Sequence, residues 1–218
     1  MAQIILTILG PWATDPHLTA DHLTLTYGDP DAELAEEIAE IAAPIQGFEP
    51  SELSALKAHA GVLTVTGEVS PGDLNPAKAA ARLMLQAFAT GALAAYVETA
   101  GKVFAPTAVQ GIDPEHLPTL FHLLVEVYRD PNQAVTEGMQ AFGLRDIQVP
   151  FNEPEAAGPA QAAAFSLAAK MVCDGIHPAD GHPFRASESA PLYRIKANAA
   201  PEDDGAFHPN SLGFWRLA

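Results

Sequence analysis

The sequence is poor in cysteine and has no long apolar run. Its 218 residues contain one cysteine, Cys173, so no disulfide can form within the chain. No segment approaches the ~20 consecutive apolar residues that a transmembrane helix requires. The apolar start, MAQIILTILG, lacks the preceding basic residues and the A-x-A site of a secretory signal. These absences predict a cytoplasmic protein that does not enter the membrane.

Basic residues are also few. Eleven lysines and arginines stand against 27 aspartates and glutamates, and the formal net charge is -16. An acidic surface repels nucleic-acid phosphates and anionic lipid headgroups, so neither is an expected partner. A basic protein is the expected partner if the charge is functional, although solubility alone also explains it. The sequence leaves the oligomeric state open.

Motifs for catalysis and for cofactor binding are missing as well. The chain has no G-x-S-x-G nucleophile motif, no Walker motif and no dinucleotide glycine pattern. We therefore predict no cofactor and favour a binding protein over an enzyme. One metal site is conceivable, because Cys173, His177, Asp180 and His182 could together hold zinc or another transition metal. Their spacing matches no familiar zinc pattern, and a buried thiol before a polar loop is the simpler interpretation.

Short apolar segments between glycines and prolines predict an α+β fold. The predicted helices run from a cap at Asp29 to Pro44, from Ser51 to Leu56, from Asn75 to Gly91, over Val135–Phe142 and over Pro159–Cys173. The predicted strands are Gln3–Leu9, His22–Tyr27, Gly61–Glu68, Leu93–Glu98, Lys102–Ala105, Thr119–Tyr128, Asp146–Val149, Leu192–Lys196 and Leu212–Leu217. Short links between strands indicate a mostly antiparallel sheet with helices on one face, and two ferredoxin-like halves are compatible with this order. We expect one globular domain over 1–218, with a subdivision into 1–50 and 51–218 as an alternative.

The most distinctive segment, TEGMQAFGLRDIQV, begins at Thr136. Thr136 is predicted to cap a short helix, on which Met139 and Phe142 lie three residues apart and point into the core. Gly143 would end this helix in a left-handed conformation. Gly138 inside a helix costs about 1 kcal/mol relative to alanine, which predicts close packing against it. Structure alone therefore accounts for the segment.

This segment resembles an uncharacterised bacterial domain-of-unknown-function family with the motif T-x-G-[LM]-x-x-F-G-x-x-[ED]-[IL]. Further parts of the chain resemble the same family: His59–Thr66, the pair Gly91–Val97 and Lys102–Ala105, and the late Asp180-Gly181. The resemblance extends over roughly residues 53–217. It implies an intact fold, but the family supplies no established catalytic residues. His182-Pro183 follows the late Asp-Gly where the family has a small polar residue, so the role of that loop need not be shared.

Three functional hypotheses follow. The first is an acidic protein that acts through contacts with a basic protein, as an immunity or inhibitor protein would. The second is a metal-dependent or hydrolytic enzyme that uses the Cys173–His182 loop. The third is a small-molecule binder with its pocket between the sheet and the Pro159–Cys173 helix.

Overall fold

Two β-sheets organise the computed structural model, which describes residues 2–44, 48–198 and 210–218. The first sheet has the strand order β2-β3-β1-β4-β5, and all its neighbouring strands are antiparallel. Its strands are β1 (Ala2–Gly10), β2 (Thr24–Gly28), β3 (Gly61–Val69), β4 (Ala94–Val97) and β5 (Lys102–Phe104). The predicted strands Leu93–Glu98 and Lys102–Ala105 correspond to β4 and β5, which pair as an antiparallel hairpin.

The second sheet has the order β6-β7-β8-β11-β10-β9. Its strands are β6 (Glu126–Arg129), β7 (Gln133–Glu137), β8 (Asp146–Pro150), β9 (Pro183–Phe184), β10 (Tyr193–Asn198) and β11 (Phe214–Leu217). β8 and β11 are parallel, and the other pairs are antiparallel. The predicted α+β class with mostly antiparallel strands is thus confirmed, with two sheets where one was expected.

The ferredoxin-like halves are not confirmed. Residues 11–23, all of them described, join β1 to β2 without a helix, and the second sheet contains a parallel pair. The subdivision near residue 50 stays a prediction, and residues 45–47 at that boundary lie outside the described residues.

Five α-helices occur in the described part of the chain. They are α1 (Ala32–Ala42), α2 (Pro50–Leu56), α3 (Asn75–Ala89), α4 (Leu117–Leu124) and α5 (Ala157–Cys173). The cap of α1 is Asp31 and not the predicted Asp29, since the Asp31 carboxylate accepts a hydrogen bond from the backbone N–H of Leu34 at 3.0 Å. No helix among the described residues has the length and apolar character to cross a membrane.

The first sheet is buried on both faces. On one face, Ile38 of α1 packs with Leu9, Tyr96 and Val103 of the sheet. On the other, β1 packs against α3 in a larger core that also takes in apolar side chains of α4, α5 and the second sheet. Helices therefore cover both faces of the first sheet, and the expectation of helices on one face alone is wrong. Burial on both sides explains why the apolar residues of β1 do not alternate.

Two predicted elements are wrong. The segment Thr119–Tyr128 is not one long strand, because α4 occupies its first part and β6 its end. Pro118 suits the first turn of a helix, where the missing N–H is not needed. The predicted helix over Val135–Phe142 is likewise absent: β7 runs through Glu137, and a short 3-10 helix covers Met139–Phe142.

Candidate functional site

An open cleft of about 470 Å³ lies between α4, β6 and the first half of α5. We call it the aromatic cleft. Its lining is mainly apolar, with polar groups at the rim, and comprises Lys102, Phe121, His122, Val125, Glu126, Val127, Gly158, Gln161, Ala162 and Phe165. Apolar clefts of this volume with a few polar groups are typical of binding sites.

The rings of Phe121, His122 and Phe165 form one wall of the aromatic cleft. Phe121 is buried in the core, and its ring meets that of Phe165 edge-to-face with centroids 5.5 Å apart. The His122 ring lies 6.0 Å from Phe165. Phe165 itself is 41% exposed, which is unusual for a large apolar residue in this structure. A rigid buried ring therefore supports an exposed one, an arrangement suited to receiving an apolar group.

Lys102 fixes the rim of the cleft. Its Nζ donates hydrogen bonds to the backbone oxygens of His122 at 2.6 Å and Val125 at 3.2 Å, and it pairs with the Glu126 carboxylate at 3.2 Å. The ammonium thus binds carbonyls at the C-terminal end of α4, where the helix dipole favours a cation. Through this contact β5 of the first sheet is attached to α4 and β6.

A second cavity, of about 450 Å³, is also lined by this ion pair. We call it the edge groove. It shares Lys102 and Glu126 with the aromatic cleft, and its full lining is Ile41, Phe48, Gly101, Lys102, Val103, Phe104, Ala105, Ala108 and Glu126. The two cavities are therefore neighbours that meet at the Lys102–Glu126 pair.

A half-buried acid lies close to these cavities. The Tyr128 hydroxyl donates a hydrogen bond to the Glu137 carboxylate at 2.7 Å, and burial raises the pKa of Glu137 above its ordinary range. Glu126 pairs with Glu137 across β6 and β7. Two carboxylates with different environments could serve acid–base chemistry. Glu137, however, lines neither cavity, so its contacts make it part of the framework around the cleft.

The distinctive segment forms a hydrogen-bond network between β7 and β8. The Thr136 hydroxyl donates to the Asp146 carboxylate at 3.0 Å and accepts from the backbone N–H of Ile147 at 2.8 Å. Asp146 also accepts from the Met139 N–H and from the Asn210 side-chain amide. Thr136 therefore joins two strands, and the prediction that it caps a helix is wrong. Burial raises the pKa of Asp146 to about 7, against the opposing effect of these donors.

The two glycines of this segment are required by geometry. Gly138 has φ = +97°, and a Cβ there would lie 2.0 Å from the Leu124 carbonyl oxygen. Gly143 has φ = +66°, and its Cβ would lie 2.8 Å from the Ser70 carbonyl oxygen. The predicted close packing at Gly138 and the left-handed Gly143 are therefore confirmed, and the predicted core residues Met139 and Phe142 are buried. The segment builds the fold and contributes no side chain to the aromatic cleft.

The structure does not gather the four candidate metal ligands. Cys173 ends α5, while His177 and His182 are exposed on the following loop. Asp180 is engaged otherwise, since its carboxylate accepts a hydrogen bond from the Ala197 N–H at 2.9 Å. Among the residues that the structure describes, no group of three or more His, Cys, Asp or Glu side chains could hold a metal ion. Burial and then the neighbouring Asp174 raise the pKa of the Cys173 thiol, which disfavours the reactive thiolate.

The last residues of the resemblance are structural as well. Gly181 has φ = +80°, which favours glycine, and its N–H donates to the Ile195 carbonyl at 2.7 Å. Its own carbonyl accepts from the Arg194 guanidinium at 3.0 Å. Asp180-Gly181 therefore attaches the loop before β9 to the neighbouring strand β10.

Sequence reasoning missed every residue of the aromatic cleft as a site residue. One signal was available on α5, whose buried face includes Ala160, Ala164 and Leu167. Phe165 lies off this face, and a large aromatic residue on the polar side of a helix indicates a surface contact.

Comparisons with models of known families, with curated proteins and with solved structures find no match to this chain. The family resemblance stays a prediction, and the functional proposal depends on the geometry of the site.

Proposed function

We propose that this chain binds a basic polypeptide partner and that the aromatic cleft receives an apolar side chain of that partner. The observation that carries the proposal is Phe165, 41% exposed at the mouth of an open apolar cleft and supported by the buried Phe121 ring. Aromatic side chains in such positions supply much of the energy of protein interfaces. We place this interaction in the cytoplasm, as the single cysteine suggests.

Charge determines the expected nature of the partner. The net charge of -16 attracts a basic protein and accelerates its association. At the rim of the cleft, the Glu126 side chain is 41% exposed and can meet a lysine or arginine of the partner. Lys102 adds little positive potential there, because Glu126 and the carbonyl end of α4 already offset its charge. An immunity or inhibitor protein that neutralises a basic target would have this combination of features.

A small molecule is the second candidate ligand. The cleft volume of about 470 Å³ falls within the range of small-molecule sites, and its position beside α5 is where the sequence placed such a pocket. The openness of the cleft favours a side chain of a larger partner, because a drug-sized ligand is normally buried over most of its surface. A metal-dependent or hydrolytic activity of the Cys173–His182 loop has no comparable support, since its side chains do not converge.

Site-specific photo-crosslinking tests the proposal. The crosslinking amino acid p-benzoylphenylalanine replaces Phe165 in one variant and Leu192, which is 55% exposed and lines neither cavity, in a control. After irradiation in the native cytoplasm, mass spectrometry identifies the captured proteins. We expect the Phe165 variant to capture a basic protein that the Leu192 variant does not. Identical sets from both positions, or an acidic product, would contradict the proposal.

The purified captured protein then allows a quantitative test. Ala162 is exposed and lines the cleft, so Ala162→Trp fills the cleft from its surface. Ala58→Trp makes the same change at an exposed position that lines neither cavity. Calorimetry should show a loss of affinity of about tenfold or more for Ala162→Trp and little change for Ala58→Trp. If native mass spectrometry instead shows a small molecule that Ala162→Trp displaces, the second candidate is correct.

A further inference from the structure

The free edge of β5 borders the edge groove. Among the residues that the structure describes, β5 is the last strand of the first sheet and pairs with β4 alone. Successive side chains of a strand point to opposite faces, yet Lys102, Val103 and Phe104 all line this groove. The groove must therefore run along the edge of the strand and not over one of its faces. Ile41 and Phe48 also line the groove, and both pack against the apolar cluster that contains Val103.

The lysine on this edge strand does not direct its charge along the free edge. Proteins commonly place a lysine on an exposed edge, because its charge prevents another strand from pairing there. Lys102 is such a residue, but its ammonium is directed to the carbonyls of His122 and Val125 and to Glu126. Its charge is thus held against α4, and the side of the groove formed by Ala105 and Ala108 carries no charged group.

One acidic residue lines the groove, and others lie on the helix that contributes Ile41 to it. Glu126 is part of its lining. On α1, Glu37 lies one helical turn before the lining residue Ile41, and Glu33 and Glu40 are exposed on the same helix. Burial, followed by the nearby carboxylate of Glu37, raises the pKa of Tyr96 to about 12, which places that acid close to the sheet. An extended segment with basic side chains is complementary to this environment.

We propose that the basic partner presents an extended segment that adds to β5 as a further strand of the first sheet and inserts an apolar side chain into the edge groove. This inference depends on the proposed function, because it assigns the same partner a second contact. The extended edge of β5 spans Lys102–Phe104, three residues or roughly 10 Å, and therefore accommodates a short added strand. Main-chain hydrogen bonds would supply affinity in this mode, and the groove would supply selectivity for the apolar side chain. Because the two cavities share Lys102 and Glu126, one continuous partner surface can fill both.

Nuclear magnetic resonance of the full chain with synthetic peptides tests the inference. The probe is a seven-residue peptide of alternating lysine and valine, at concentrations up to about 1 mM, which reveals even a Kd near 1 mM. A peptide with glutamate in place of lysine controls for charge. Two further peptides carry N-methyl groups on alternate residues in the two opposite registers, so that each blocks the hydrogen bonds of one edge of the added strand.

If the peptide adds as a strand, the lysine peptide should change the backbone chemical shifts of residues 101–105, and the glutamate peptide should not. Of the two N-methylated peptides, only one should lose binding. Ala108→Trp, which fills the groove from an exposed position, should abolish these changes. Thr107→Trp places the same side chain on the adjacent exposed residue outside the groove and should leave them intact.

Several results would overturn the inference. They are the absence of shifts at 101–105, equal binding of both N-methyl registers, and equal binding of a helix-constrained peptide of the same composition. Shifts at 101–105 that depend on protein concentration without peptide would assign the edge to a second copy of the chain. Each of these leaves the proposed function standing if the crosslink from Phe165 captures a basic protein, and an absent crosslink overturns the proposed function separately.

Discussion

The Gly138→Ala substitution tests the structural interpretation of the most distinctive segment. Gly138 links β7 to the 3-10 helix with φ = +97°, and its added Cβ would lie 2.0 Å from the Leu124 carbonyl oxygen and 3.0 Å from the Ala100 Cβ. A normal contact between carbon and oxygen is about 3.3 Å, so the backbone around the end of α4 must move by roughly 1.3 Å. Leu124 is fully buried, and its surroundings leave little room for that movement.

The expected loss has two parts. An alanine in the left-handed region costs about 1–2 kcal/mol. The overpacking against Leu124 adds about 1–3 kcal/mol. The free energy of unfolding should therefore fall by about 2–5 kcal/mol, a large part of the roughly 5–15 kcal/mol of a typical domain.

Urea unfolding measures this loss, and Gly181→Ala is the matched control. Gly181 has φ = +80° with no atom within 4 Å of the added Cβ, so its substitution should cost only the conformational part, about 1–2 kcal/mol. The difference between the two variants isolates the steric contact with Leu124. Equal losses at the two positions would refute the argument that close packing requires Gly138.

Two further predictions concern the network around Asp146. Its pKa is raised from 3.8 to about 7, so the folded protein binds a proton that the unfolded chain releases between these values. Asp146 should therefore lower the free energy of unfolding as pH rises from about 4 to 7, with no further change above. Urea titrations at several pH values should show this fall in the difference between the protein and Asp146→Asn. A difference that is constant with pH, or that changes in the opposite direction, would contradict the raised pKa. Thr136→Val leaves Asp146 and the Ile147 N–H each without one hydrogen-bond partner. It should lower the free energy of unfolding by about 2–3 kcal/mol at pH 7. Thr136→Ser, measured in the same way, should retain most of the stability.

Local patterns in the sequence predicted most strands and helices, and they failed where two periodicities coincide. In the segment 119–128, the residues Phe121, Leu123 and Val125 alternate as in a strand, while Leu120, Phe121 and Leu124 follow helical spacing. Nearly every apolar residue of α4 is buried, so neither period was decisive. The packing of the helix against α3 and α5, which the sequence does not reveal, resolves the ambiguity.

The distinctive segment shows a different limit. β7 and the 3-10 helix are each too short for a periodic signal, and the pair Thr136 and Asp146 acts across two strands. Residue types in the segment correctly predicted a left-handed Gly143 and buried Met139 and Phe142, because those properties are local. The partners of Thr136 and Gly138 come from β8 and α4, and only the folded chain brings them together.

The candidate site could not be predicted from the sequence for the same reason. Lys102 on β5, Phe121 on α4 and Phe165 on α5 are distant in sequence, and each has an ordinary local role. The cleft arises from the packing of α4 and α5 beside β6. The Cys173–His182 loop, by contrast, concentrates metal-binding residue types in sequence without bringing their side chains together.

The position of β11 has a consequence for the order in which the chain folds. β11 lies between β8 and β10, so without it the second sheet would consist of two separate parts, the meander β6–β8 and the pair β9–β10. Its parallel register aligns residue 214 with residue 146 and encloses the whole of α5 within one long loop. Closing such a loop carries a large entropic cost and is slow compared with the pairing of neighbouring strands. On the ribosome, the second sheet can therefore be completed only after residues 214–217 have emerged, whereas all strands of the first sheet are available much earlier.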